Sequence, residues 1–103
     1  MTPALLPSAS AFVVRASFRV PGLGLLVLPA LPVPPWLTTP ALHTAVQVQL
    51  YGPTPAVLLP ATIEELAHDE QPPTRALLLD ADPGAPAAGS WLELVQVVPQ
   101  ELW

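Results

Sequence analysis

Sixteen of the 103 residues are proline, and they separate apolar runs instead of gathering in one tract. Each proline holds φ at about −65° and removes a backbone donor, which disfavours both long helices and long unbroken strands. The chain is therefore expected to fold as short extended segments joined by fixed turns. Disorder, the other outcome of high proline content, needs low hydrophobicity and high net charge. Here 51% of residues are hydrophobic and only 11% are charged, so there is ample material for a core.

Two-residue alternation marks the segments. In 11–20, Phe12, Val14, Ala16, Phe18 and Val20 fall on one face and Arg15, Ser17 and Arg19 on the other. Pro21-Gly22-Leu23-Gly24 reads as a turn, and the apolar run 25–28 as a strand covered on both sides. Residues 29–43 read as an ordered extended loop in which Trp36 plugs one end of the core. Alternation resumes over 44–51, with Val46, Val48 and Leu50 inward and Gln47 and Gln49 outward. After a turn at Gly52-Pro53-Thr54-Pro55 comes a strand over 56–64. Its Pro60 predicts an edge position or a bulge. A polar loop with room for one helical turn, 65–73, leads to a strand over 74–81. Asp80-Ala81-Asp82-Pro83-Gly84 opens the next loop, and the last strand is 90–98. This gives a flexible segment 1–10, an all-β domain 11–98 and a tail 99–103. The expected architecture is a small, closed or partly open six-stranded β-barrel. Closure suits a chain with few charges to protect exposed strand edges.

The charge balance excludes several functions. Three arginines, no lysine and eight acidic residues give a net charge of −5. Nucleic-acid backbones are gripped by several Lys/Arg contacts, so DNA binding is not expected and RNA binding is disfavoured. The apolar run 23–37 is short and broken by prolines, so no membrane span is expected. Cysteine is absent, which removes disulfides, thiolate zinc sites and thiol nucleophiles. With no basic residue in 1–10 to begin a signal peptide, the expected location is cytoplasmic.

The order of motifs resembles the second domain of elongation factor Tu and related translational GTPases, here as a stand-alone domain. Phe18-Arg19-Val20-Pro21-Gly22-Leu23-Gly24 is similar to that family's F-x-I-x-G-x-G opening. Val46-Gln47-Val48 and Ala61-Thr62-Ile63-Glu64 look like its middle strands. Leu77 to Leu79 followed by Gly89-Ser90-Trp91-Leu92 looks like its close. The resemblance covers about 12–98 and implies a six-stranded barrel. It also implies, as an alternative function, an RNA-end or small-ligand binding barrel. The prolines of 29–40 depart from the family pattern. No GTPase domain is present, and no nucleotide chemistry or contact residue carries over.

Candidate sites are few. Gly22-Leu23-Gly24 lacks the third glycine and the following helix of a phosphate loop. No G-x-S-x-G nucleophile elbow occurs. Glu64, Glu65 and His68 could meet on a helical turn and hold a metal in a metal-dependent enzyme, but a solvated loop is the simpler reading of them. Asp80 and Asp82 read first as turn residues, and His43 as a partly packed side chain. Arg15 and Arg19, outward on one strand, are with Trp36 and Trp91 the candidate binding residues. The leading expectation is a non-catalytic module with no cofactor. It binds a protein partner, or itself as a homo-oligomer, through an apolar face, because so little charge leaves apolar surface exposed.

Overall fold

The computed structural model describes residues 7–52, 56–67, 69–80 and 86–99. The turn at Pro53-Thr54-Pro55, His68, the loop residues around Asp82-Pro83-Gly84 and the end of the tail lie outside them. Six strands appear where alternation and the continuous apolar runs place them: β1 (Phe12–Val20), β2 (Gly24–Pro29), β3 (Ala45–Tyr51), β4 (Val57–Leu66), β5 (Thr74–Leu79) and β6 (Trp91–Val97). All pairings are antiparallel, and the sheet closes into a barrel in the order β1-β2-β5-β4-β3-β6. Among the described residues no helix is long and apolar enough to cross a membrane.

Inward side chains fill the ring. Phe12, Val14, Leu25, Val27, Val46, Val48, Leu59, Ala61, Ile63, Leu77, Leu79 and Leu92 form one buried cluster, joined by Leu37 from outside the strands. Closing six strands requires stagger, and the stagger concentrates at the β1–β6 seam. That seam has two register pairs, Phe12↔Leu92 and Val13↔Trp91, whereas β3 and β4 share six.

Two bulges correct the simple alternation. The register of β1 on β2 slips between Val14 and Ala16, so the faces exchange along β1. Phe12 and Val14 point inward as expected. Beyond the slip, Ser17 and Arg19 stand opposite the buried Val27 and Leu25. Phe18 therefore turns outward and is 52% exposed. A second slip, between Gln47 and Val48 against β6, lets Leu94 face Val48 and Val97 face Val46.

Pro60 sits on a strand paired on both sides, and neither ladder of β4 has a bulge. It is tolerated because β5 stops short of it. Ile63 turns its backbone groups toward His43 and Thr44 on the β3 side, so the period of two turns those of Pro60 toward β5. The β4–β5 register begins only at Ala61↔Leu79, and the Pro60 carbonyl accepts from the Asp80 N–H. The missing donor thus falls where the ladder has ended.

The 29–43 connection crosses the end of the barrel where β2 finishes and β3 starts. It contains one short helix, α1 (Pro35–Thr38), where an extended path was expected. Pro35 occupies its first turn, where a missing N–H costs nothing. The helix drops Leu37 fully into the core, with Trp36 and Val33 packed against the cluster. The Trp36 ring lies 6.2 Å from that of Phe12, and its Nε1 donates to the Ser10 carbonyl at 2.6 Å. Trp36 therefore plugs the barrel end, as the sequence suggests. Before β1, the Ser8 hydroxyl donates to Glu93 Oε1 at 2.6 Å, and the Ala11 N–H donates to the Ser8 carbonyl. Trp36→Phe deletes the Nε1 donor and replaces the two-ring indole with a smaller phenyl ring, so packing is lost along with the hydrogen bond. It is expected to cost at least about 1 kcal/mol, seen as a fall in Tm of at least about 4 °C with the strand signal in circular dichroism retained.

Candidate functional site

The candidate site grows from the two apolar runs. In β2 and β5 the period of two sends Leu25, Val27, Leu77 and Leu79 inward and leaves Leu26 and Leu78 facing out. Register aligns these with their neighbours, because residues directly opposite in a sheet share a face. Phe18, Leu26, Leu78, Thr62 and Ala45 form one continuous row across five strands of the outer wall. Five strands at about 4.8 Å spacing make the row about 19 Å long. Threonine is its only polar member.

The row borders a groove of about 450 Å³. Leu23, Pro60, Thr62, Leu78, Asp80 and Val98 are among the residues that line it. Leu23, at the tip of the β1–β2 turn, is 60% exposed. Pro60 adds a backbone position with no N–H to solvate, so this wall is apolar in main chain as well as side chain. Gln47, also beside the groove, accepts from Gln96 Nε2 at 3.0 Å. Asp80 lies two residues beyond Leu78 and on the same face. Its carboxylate makes no ion pair among the described residues. Leu23 and Asp80 also border a second depression, of about 350 Å³, with Arg19 and Gly22.

The residues singled out from sequence are scattered. Arg15 and Arg19 are both exposed, with the β1 bulge between them. Arg15 projects from the bulge, with its Nε 3.4 Å from the Pro29 carbonyl, whereas Arg19 stands opposite Leu25 and also has a partner. Arg75 Nη1 donates to the Pro40 carbonyl at 2.8 Å, and its Nε is 3.7 Å from Glu65 Oε2. Trp36 belongs to the barrel end. Trp91 stacks on Tyr51 across the β3–β6 pair, with centroids 5.4 Å apart and planes 12° from parallel.

The metal alternative loses its geometry. Glu64 and Glu65 are successive residues of β4 rather than members of a helical turn, so they face opposite sides. Glu64 Oε1 is 2.8 Å from His43 Nδ1, and Glu65 faces Arg75. His43 is not packed as expected: its side chain is 75% exposed, on a backbone with φ of 70°. The Glu64 contact and the His43 N–H to Ile63 carbonyl bond, at 2.7 Å, hold it in that uncommon conformation. Among the described residues no three metal-ligating side chains converge. Gly22-Leu23-Gly24 leads into a strand, so it cannot present a helix N-terminus to phosphate.

The outer groove is what reading the sequence missed. Its signal was present in the unalternating runs 25–28 and 77–79, since a strand with apolar residues on both parities has an apolar outer face. Phe18 was concealed by the bulge. Compared with known proteins, the chain matches no family model, no curated protein and no solved structure.

Proposed function

We propose that this chain is a non-catalytic interaction module that docks another polypeptide on the outer wall of its barrel. The observation that carries this reading is the apolar row Phe18-Leu26-Leu78-Thr62-Ala45 beside the groove. A chain with a closed core has no packing reason to place a half-exposed phenylalanine and two leucines side by side on its outside. Contiguous apolar surface of this kind marks interaction sites. The exposed ring of Phe18 would anchor the contact, because aromatic side chains at the centre of an interface carry a large share of its energy. The elongation factor Tu-like reading remains a proposal about ancestry, supported by motif order and by the six-stranded ring.

The test compares wild type with a Phe18→Ser/Leu78→Ser variant in quantitative affinity capture, with sedimentation and thermal melts alongside. Both positions face outward, so the fold should survive. Loss of an anchor worth about 2 kcal/mol lowers affinity by about 30-fold. Partners retained by wild type should therefore be depleted at least about tenfold on the variant, while Tm stays nearly constant. Equal retention by both proteins, or a wild-type chain that is monomeric and retains nothing, would overturn the reading.

A further inference from the structure

We infer that the partner is an extended basic-apolar segment, with aliphatic or aromatic side chains on the Leu78 row and a lysine or arginine on Asp80. This deepens the interaction-module reading and rests on it.

The argument is one of charge complementarity. The groove is lined mainly by apolar side chains, with Gln47 and Thr62 among them, and its charged lining side chain is Asp80. The other acidic side chains of β4 and β6 are committed: Glu64 to His43, Glu65 to Arg75 and Glu93 to Ser8. The Asp80 main chain is fixed by its N–H to the Pro60 carbonyl at 3.0 Å, which places the residue beside the middle of the apolar row, two positions along the chain from Leu78. A carboxylate held beside apolar surface favours a ligand that brings a cation together with greasy side chains. The row is about 19 Å long, which an extended segment of about six residues spans.

A second copy of this chain fits that requirement poorly. It has no lysine and only three arginines, of which Arg75 is held by the Pro40 carbonyl and Glu65. Two copies, each at −5, also repel one another. A heterologous basic segment is instead drawn in by the same net charge, and should bind more weakly as salt rises.

The test is selection of an unbiased displayed peptide library on wild type, Asp80→Lys and Leu78→Ser, with sedimentation of the unliganded protein. Peptides enriched on wild type should carry Lys or Arg at a fixed distance from apolar residues. On Asp80→Lys that basic position should become Asp or Glu, and on Leu78→Ser enrichment should fall at least about tenfold. Apolar peptides enriched on wild type, lost on Leu78→Ser and indifferent to Asp80→Lys would overturn this inference and leave the docking wall standing. No enrichment, or enrichment indifferent to both variants, would remove both. Self-association abolished by Leu78→Ser would assign the wall to a second copy and overturn the basic-segment inference.

Discussion

Phe12→Ala is expected to destabilise the domain by about 3–5 kcal/mol, the range for emptying a buried aromatic site. Phe12 is fully buried and belongs to the main cluster. It also stands at the narrowest join of the ring, in one of only two register pairs between β1 and β6. Its ring supports Trp36, so truncation loosens the barrel plug as well as the seam. The surrounding backbone cannot easily collapse into the space, because closing the ring already fixes its curvature. Domains of this size are stable by only about 5–15 kcal/mol. The loss should therefore lower Tm by at least about 12 °C. Denaturant melts read the free energy, and Leu58→Ala on the exposed part of β4 serves as the control, expected within about 1 kcal/mol of wild type. A Phe12→Ala penalty no larger than that control would show that the seam does not close as described.

Much of this fold is legible in the sequence because its two strongest signals act locally. Alternation over 44–51 places Val46 and Val48 inward and Gln47 and Gln49 outward, as found. Proline and glycine at 21–24 mark the hairpin: Leu23 N–H donates to the Val20 carbonyl, and Gly22 has the positive φ, 79°, that a type II turn requires at its third position. What stayed illegible depends on the whole ring. Whether Phe18 faces in or out is decided by a bulge, and the bulge arises because β1 must serve β2 along most of its length and β6 only at its start. The same slip lies between Arg15 and Arg19, although both side chains stay exposed. Pro60 suggested an edge because a missing donor is normally seen there. That β5 would end one residue short of it is a fact about strand lengths, which no local pattern encodes. The docking row is likewise a register property. Leu26, Leu78 and Thr62 become neighbours only when three strands distant in sequence are aligned.

Gly24→Ala should be nearly as damaging as loss of the Phe12 ring, for a different reason. The β2–β5 ladder ends at Leu25↔Leu79, and the chains approach most closely just beyond it. A Cβ on Gly24 would fall inside contact distance of the Leu79 carbonyl oxygen, a backbone atom that no side-chain rotation can move aside. The φ of 137° at Gly24 adds a penalty of its own, of about 1–3 kcal/mol for a residue with a side chain. Relief requires parting β2 from β5, and with it the Leu26–Leu78 contact on the outer wall. Gly22 separates the two contributions. It also has positive φ, but a Cβ there would meet nothing within 4 Å. Gly22→Ala is therefore expected to cost about 1 kcal/mol, mostly from the turn. Gly24→Ala should cost about 3 kcal/mol or more, a Tm loss of about 12 °C or greater. Amide exchange should show where the damage lies: faster at Leu25, Val27 and Leu77 in Gly24→Ala, and unchanged there in Gly22→Ala. Equal melting temperatures for the two variants would mean that β2 does not meet the end of β5 at this glycine. The outer row, which needs that junction to bring Leu26 beside Leu78, would then lose its geometry.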